Sequence, residues 1–289
     1  MTGTVPGGTL TLADDLILTR MGYGAMQLAG PYVFGPPKDR DEAVAVLREA
    51  VERGITHIDT SDFYGPAVVN EIIREALHPY PAGLHIATKV GSRRGDDASF
   101  IPAREPVDLV AQVHDNLKHL GVDTLDVVYL RMGANEGQPI EEPLSDKFGA
   151  LAELQKEGLI RHLGLSAVTD AQLTEAQTIA PVVSVQNLYN LANRQDDALV
   201  ARCAAHNIAF TPFFPLGGFS PLQSQTLTDV ATRLDAAPQQ VALAWLLQRS
   251  ATIALIPGTS SRTHLRENIA AADLTLPTDA ITELDTISN

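Results

Sequence analysis

Cysteine and positive charge are both scarce in this sequence. Cys203 is the only cysteine among 289 residues, so no internal disulfide can form, and its helical surroundings, LVARCAAHN, favour a small packed side chain over a nucleophile. The formal net charge of −14 argues against nucleic-acid binding, which needs a basic face, and against binding to an anionic membrane. Any anionic ligand must therefore be held by a local site that works against the overall field.

Long apolar runs are also missing. No uninterrupted apolar stretch approaches about 18 residues, so we expect no membrane span. The opening MTGTVPGGTLTLADD lacks the basic and apolar regions of a signal peptide, which makes the cytoplasm the expected compartment. The eight histidines show no metal-ligand spacing, because His114 and His119 lie five residues apart on a predicted helix and do not share one face. We therefore expect no metal site.

The sequence does contain a regular alternation of strands and helices. Hydrophobic residues make up 45% and charged residues 19% of the chain, which allows a sizeable core. Eight apolar strand segments, each followed by a helical pattern, predict a parallel sheet, and eight such units in about 250 residues favour an α/β fold of the (β/α)₈ TIM-barrel type. We predict one monomeric barrel domain over residues 1–289, with an N-terminal β-hairpin in TLTLADDLILTRMG as a cap and extra helices at the C-terminal end.

Three charged side chains end neighbouring predicted strands. Asp59 ends the second strand, Lys89 the third and Arg131 the fourth. The carboxyl ends of barrel strands meet at one rim, where active sites lie. A lysine at the end of an apolar strand is costly unless it is paired, and Asp59 is its natural partner.

Tyr64 lies shortly after Asp59, in HIDTSDFYG, and the Gly65 that follows favours a loop. A free phenol has a pKa of about 10, and a cation within about 4–6 Å lowers it. Such a phenol can donate a proton to a carbonyl oxygen while hydride reaches the carbon. We therefore predict Tyr64 as the general acid, Lys89 as the residue that tunes it, and Asp59 as the group that keeps Lys89 charged. Taken singly, each of these residues is also consistent with a structural role.

At these residues the sequence resembles the aldo-keto reductases, and the resemblance extends over essentially the whole chain. The matching stretches are HIDTSDFYG, IATKVG, GLS at 164–166, VQNLYN at 185–190, FFPLGG at 213–218 and IPGTSSRTHLREN at 256–268. The resemblance implies a (β/α)₈ barrel that reduces aldehydes or ketones to alcohols with a nicotinamide cofactor, usually NADPH, and without a metal.

The resemblance also implies cofactor contacts. Ser166 and Gln186 would hydrogen-bond the nicotinamide amide, Phe213 would stack on its ring, and the PLGG backbone would approach the pyrophosphate. The full set of implied cofactor residues is Gly24, Met26, Asp59, Ser166, Gln186, Phe213, Pro215, Leu216, Gly218, Gly258, Thr259, Ser260, Arg262, His264, Glu267 and Asn268.

The segment GTSS at 258–261 opens the last helix of the predicted barrel. A helix N-terminus with free N–H groups is a ready anion site, and the resemblance implies that it takes the cofactor's 2′-phosphate, with Arg262 or His264 close by. Glu267 and Asn268 correspond to adenine-binding positions. From the residues alone, GTSS is equally consistent with a simple helix N-cap.

Three positions depart from the family pattern. Arg131 replaces the usual catalytic histidine, and because arginine is always charged and only donates, we expect it to polarise the carbonyl or anchor an anionic substrate oxygen. An ion pair at the rim is the alternative. Ala167 replaces an asparagine, and Gly258 replaces a lysine that many members use on the 2′-phosphate. NADPH nevertheless remains the expected cofactor, with NADH possible.

An arginine at the fourth position occurs in a bacterial branch of the family that includes pyridoxal reductases, and GYGAMQLAGP resembles that branch. The implied substrate is a small carbonyl compound, such as pyridoxal or another aromatic aldehyde, contacted by Tyr64 and Arg131. Tyr32 and Phe34 are candidate walls for a flat ring, although loop packing explains them equally well. The alternative function is a nicotinamide-binding regulatory or redox-sensing subunit with vestigial turnover.

Overall fold

The computed structural model describes residues 5–133, 137–218 and 222–287. The strands within them are β1 Thr9–Ala13, β2 Leu16–Thr19, β3 Tyr23–Gly24, β4 His57–Asp59, β5 His85–Val90, β6 Ser92–Arg94, β7 Phe100–Pro102, β8 Leu125–Arg131, β9 Ile160–Ser166, β10 Val182–Gln186 and β11 Ala209–Phe210. The helices are α1 Arg40–Glu52, α2 Val68–Leu77, α3 Pro106–Leu120, α4 Ser145–Lys156, α5 Asp170–Gln177, α6 Asp197–Ala205, α7 Gln225–Arg233, α8 Pro238–Arg249, α9 Arg262–Ala270 and α10 Thr278–Leu284.

Seven strands form one parallel sheet in the order β3-β4-β5-β8-β9-β10-β11. The segment 253–258 fills the eighth position, because it bridges Phe210 on one side and residues 21–24 on the other. Pro257 in this segment has no N–H to donate, which is one reason why the ladder here is made of isolated bridges. The predicted (β/α)₈ barrel is therefore confirmed, with an eighth member that is extended but irregular.

The N-terminal hairpin covers the bottom of the barrel. β1 and β2 pair antiparallel, and Leu16 and Leu18 pack against Val127 and Tyr129 from the barrel interior. The predicted cap is therefore confirmed. A second hairpin, β6 with β7, follows the third barrel strand and was not predicted, because its charged sequence SRRGDDASFIP hides the apolar alternation typical of a strand.

Helix boundaries follow local capping chemistry. The Asp39 side chain accepts a hydrogen bond from the Glu42 backbone N–H and starts α1, and Thr169 forms a capping box with Gln172 at α5. Gly121 ends α3 in a left-handed conformation. None of the helices in the described ranges is long and apolar enough to cross a membrane.

Candidate active site

Asp59 and Lys89 form a buried ion pair at the carboxyl ends of β4 and β5. Lys89 Nζ lies 2.6 Å from Asp59 Oδ1 and donates a second hydrogen bond to the Thr60 carbonyl at 2.8 Å. The two side chains are only about 5% exposed. Burial opposes the charge on Lys89, but Asp59 and Tyr64 outweigh it, so the pKa of Lys89 lies above its ordinary value. Lys89 is therefore an ammonium at neutral pH.

Gln186, at the end of β10, holds the other oxygen of this carboxylate. Its Nε2 donates to Asp59 Oδ2 at 2.8 Å, and the side chain is buried. Asp59 is thus fixed through both oxygens, which prevents it from turning away from Lys89. The sequence predicted Gln186 only as a cofactor contact and missed this bond, which joins residues 127 positions apart.

Tyr64 lies beside Lys89, whose Nζ is 5.2 Å from the centroid of the phenol ring. The loop brings it there through a hydrogen bond from the Tyr64 N–H to the Ser61 carbonyl at 3.0 Å. Gly65 follows with φ +89°, and a Cβ on Gly65 would lie 2.7 Å from the Cβ of Val68. Only glycine therefore fits the turn that presents the phenol.

The expected lowering of the Tyr64 pKa is wrong for this structure. Tyr64 is buried, and burial raises its pKa above the ordinary value, while Lys89 and Arg131 lower it only in part. The physical reason is that phenolate loses more hydration in the barrel mouth than the neighbouring cations return. Tyr64 is therefore a protonated phenol at neutral pH, which is the state that a proton donor requires.

A cleft of about 650 Å³ opens directly above these residues. This volume is within the range of about 300–1,000 Å³ that is common for ligand pockets. Among the predicted site residues, those that line it are Gly24, Met26, Tyr32, Asp59, Tyr64, Gln186, Phe213, Pro215, Leu216, Gly218, Gly258 and Ser260. The predicted residues that do not line it are Phe34, Lys89, Arg131, Ser166, Thr259, Arg262, His264, Glu267 and Asn268.

The cleft runs from the phenol to the N-terminus of α9. Ser261 caps this helix, with its Oγ accepting from the His264 N–H at 3.5 Å. Ser261, the last residue of GTSS, is thus the N-cap of this helix, and the 2′-phosphate role of the segment stays a prediction. Asn268 is buried, and Glu42 of α1 reaches across to Arg262, with carboxylate oxygens 3.2 Å from its Nε.

A model of the aldo/keto reductase family matches residues 20–289. The chain belongs to this family. The resemblance seen in the motifs is thereby confirmed, and the protein is an oxidoreductase.

Two relatives are similar over nearly their whole length. Pyridoxine 4-dehydrogenase of Escherichia coli (strain K12) is 58% identical over 281 residues, which cover 97% of this chain and 98% of the relative. An uncharacterized oxidoreductase of Schizosaccharomyces pombe is 40% identical over 279 residues, which cover 96% and 89%.

Solved structures agree with the fold. The thermostable aldo-keto reductase Tm1743, in complex with the inhibitor epalrestat, has a TM-score of 0.81 and 28% identity, covering 97% of this chain and 99% of that one. An aldo-keto reductase from Klebsiella pneumoniae in complex with NADPH has a TM-score of 0.77 and 22% identity, covering 96% and 93%. The second likeness concerns the fold alone.

Of the departures from the aldo-keto reductase pattern, the one at Gly258 has a local backbone explanation, whereas the one at Ala167 does not. A Cβ on Gly258 would lie 2.8 Å from the Gly24 carbonyl oxygen, so a lysine cannot replace it while the barrel closes as it does here. Ala167 has φ +55°, a left-handed conformation that asparagine tolerates better than alanine. The alanine therefore carries some backbone strain in addition to lacking a polar group.

Arg131 lies at the rim but does not line the cleft. It is half-buried, and its Nη1 donates to the Gly133 carbonyl at 3.1 Å and contacts Ser92 Oγ at 3.4 Å. Burial lowers the pKa of Arg131, and its charge in turn acts on Tyr64. Arginine stays protonated in spite of this shift.

The two aromatic residues of the first loop differ in environment. Tyr32 is 85% exposed and lines the cleft, whereas Phe34 packs under the Arg94 guanidinium at 5.6 Å. Arg94 also donates to the Tyr32 carbonyl at 2.7 Å, in a loop where Tyr32 and Val33 adopt φ 59° and 58°. Loop packing therefore accounts for Phe34, and Arg94 is a supporting residue that the sequence analysis missed.

A neutral polar network lies directly behind the ion pair. Thr60 Oγ donates to Asn70 Oδ1 at 2.8 Å, Asn70 Nδ2 donates to Asn116 Oδ1 at 3.0 Å, and Thr88 Oγ donates to the same oxygen at 2.5 Å. All four side chains are completely buried. The network ties β4 and β5 to α2 and α3, and the sequence analysis did not predict it.

Proposed function

We propose that this aldo-keto reductase reduces the aldehyde of pyridoxal, or of a similar aromatic compound, to the alcohol with NADPH. The observation that carries the proposal is the buried Asp59–Lys89 pair beside a protonated Tyr64 at the inner end of a ligand-sized cleft. The relative named pyridoxine 4-dehydrogenase, at 58% identity, supports the choice of substrate class.

The cleft suits a nicotinamide cofactor. Its inner wall offers Gln186 and Phe213, its middle offers the backbone of Pro215 and Leu216, and its outer end offers Ser260 at a helix N-terminus. Members of this family use NADPH, which supplies a hydride to the carbonyl carbon. The cofactor roles assigned to these residues are part of the proposal.

Tyr64 supplies the proton. Its O–H donates to the carbonyl oxygen as negative charge develops there, which leaves a phenolate. Lys89 stabilises that phenolate because it is charged and close, and Asp59 keeps it charged. Solvent then reprotonates the phenol. The reverse oxidation needs the phenolate as base, and because burial raises the pKa of Tyr64, we expect oxidation to be favoured at alkaline pH.

Arg131 acts next to this phenol. Its charge lowers the pKa of Tyr64 in part, and we propose that it also attracts an anionic oxygen, such as a ring hydroxyl beside the aldehyde. Its contacts with Ser92 and Gly133 hold the guanidinium at the rim close to Tyr64.

The test is a steady-state assay of the wild type, Tyr64→Phe and Arg131→His with pyridoxal and with an uncharged aromatic aldehyde, using NADPH and NADH. We expect Tyr64→Phe to lower kcat by about 10²- to 10⁴-fold while NADPH binding, measured by calorimetry, changes less than about twofold, because the hydroxyl acts in the chemical step. We expect Arg131→His to raise KM for pyridoxal more than for the uncharged aldehyde.

Turnover that survives in Tyr64→Phe would contradict the proposed mechanism. Equal effects of Arg131→His on both aldehydes would remove the anchoring role. Tight NADPH binding with negligible turnover of every carbonyl would instead support the regulatory alternative, which the enzyme names of the relatives do not support.

We further propose that the chain acts as a single barrel domain, as a monomer and in the cytoplasm. Sedimentation equilibrium of the purified protein tests the monomer, for which the expected mass is 30.9 kDa.

A further inference from the structure

The outer end of the cleft contains an unexpected carboxylate. Glu42 lies in the first turn of α1 and is one of the residues that line the cleft. Its Oε1 accepts from the Arg262 backbone N–H at 3.4 Å and from Arg262 Nε at 3.2 Å, and its Oε2 lies 3.2 Å from the same Nε. The carboxylate of Glu42 is thus bound to Arg262, the first residue of α9.

Glu42 rather than Arg262 faces the cleft. Glu42 is among the lining residues and Arg262 is not, so the acidic partner of this ion pair is the residue that borders the ligand space. Asp39 adds a second carboxylate, which is engaged in capping α1. Lys38 is the cation that lines this part of the cleft within the described ranges.

This arrangement bears on the ribose of a nicotinamide cofactor. A carboxylate accepts a hydrogen bond from the ribose 2′-hydroxyl of NADH, whereas an arginine accommodates the 2′-phosphate of NADPH. Here the two groups are bonded to each other. A 2′-phosphate that bonds Arg262 therefore shares the guanidinium with Glu42 and lies near a like charge, while a 2′-hydroxyl meets an acceptor already in place.

We propose that Glu42 is a specificity-determining residue that competes with the cofactor 2′-phosphate for Arg262 and the start of α9, and so narrows the preference for NADPH over NADH. The inference rests on the proposed function, since it assumes that the cleft binds a nicotinamide cofactor. It adds a residue on α1 that lies 220 positions from Arg262.

The chain offers a matched control on the same two helices. Glu49, seven residues after Glu42, bonds Arg266 of α9 at 2.6 Å, four residues after Arg262. Glu49 joins α1 to α9 as Glu42 does, but it does not line the cleft. Glu49→Gln therefore reports what loss of an α1–α9 ion pair does away from the cleft, together with loss of the Glu49–Arg53 pair within α1.

The experiment is calorimetric titration of the wild type, Glu42→Gln and Glu49→Gln with NADPH and with NADH, without substrate. We expect Glu42→Gln to bind NADPH about 10-fold more tightly, because a like charge leaves the phosphate site, and NADH equally or more weakly. Adenosine 2′,5′-bisphosphate and adenosine 5′-monophosphate, which differ only in the 2′-phosphate, are expected to repeat the contrast. Glu49→Gln is expected to behave as the wild type.

An unchanged NADPH-to-NADH ratio in Glu42→Gln would overturn the inference, as would an equal gain for both cofactors or the same gain in Glu49→Gln. Any of these results leaves the proposed reductase intact, because wild-type binding is measured in the same series. A wild type that binds neither cofactor would overturn both proposals.

Discussion

The two faces of β4 and β5 carry polar groups of opposite character. On the face toward the cleft, Asp59 and Lys89 form an ion pair. Thr60, directly after β4, and Thr88, one residue before Lys89 on β5, face the helices and bond the amides of Asn70 and Asn116. The strand period of two places charge on one face and neutral hydrogen bonds on the other.

The charged face carries the residues of the proposed proton transfer, and the neutral face supports the strands that position them. The charged face is expensive to bury and is stable only because each charge is matched, so it is suited to a group whose charge must be fixed during proton transfer. On the neutral face the strand side chains carry no charge, and they tie the strands to α2 and α3, where Asn70 also donates to the Asp62 carboxylate. Thr60 belongs to both, since its carbonyl accepts from Lys89 while its hydroxyl enters the network.

The largest expected effect on stability and on kcat comes from removing the charge of Lys89. Lys89→Met leaves Asp59 buried without its cation, and we expect a loss of about 3–5 kcal/mol in the free energy of unfolding and nearly complete loss of kcat. The double variant Asp59→Asn, Lys89→Met removes both charges and is expected to recover about half of that stability but no activity. Urea denaturation and steady-state assays measure both. A double variant as unstable as Lys89→Met would show that packing, rather than the unpaired charge, is responsible.

On the neutral face, we expect a substitution to lower the free energy of unfolding much more than it lowers kcat. Asn70→Ala removes hydrogen bonds to Thr60, Asp62 and Asn116, and we expect about 2–4 kcal/mol of destabilisation at about 1 kcal/mol for each bond. Because the ion pair remains, kcat should fall less than about 10-fold. Urea denaturation and kcat are measured on one preparation. A fall in kcat as large as that of Lys89→Met would erase the distinction between the faces.

A smaller effect is expected at the other end of β4. His57 is buried, neither ring nitrogen has a hydrogen-bond partner within the described part of the chain, and burial lowers its pKa to about 4. The unfolded histidine has a pKa of about 6.5 and binds a proton first as pH falls, so stability that is complete above about pH 6.5 should decline by about 2 kcal/mol at pH 5.

His57→Leu serves as the comparison, because it fills similar space without a titratable group. We expect the free energy of unfolding of this variant to fall less between pH 7.5 and 5 than that of the wild type. Parallel pH profiles for the two proteins would assign the acid sensitivity to other groups.

The strand ends made much of this site predictable. Asp59, Lys89 and Tyr64 could be placed together because a barrel brings consecutive strand ends to one rim. The bonds of Gln186 to Asp59 and of Glu42 to Arg262 could not, since each joins positions more than 100 residues apart through the curvature of the sheet. The sign of the Tyr64 pKa shift was missed because it depends on how completely the phenol is buried, which the sequence does not state.

The way the barrel closes also constrains how the protein is made. The start of the first barrel strand finds its second neighbour only in residues 253–258, and the Arg20 side chain bonds the carbonyls of Leu247, Ser250 and Ile253. Contacts of such long sequence separation are slow to form. During synthesis the first barrel strand therefore waits with one edge unpaired until residues 253–258 have left the ribosome, and in that interval this edge is open to pairing with other chains.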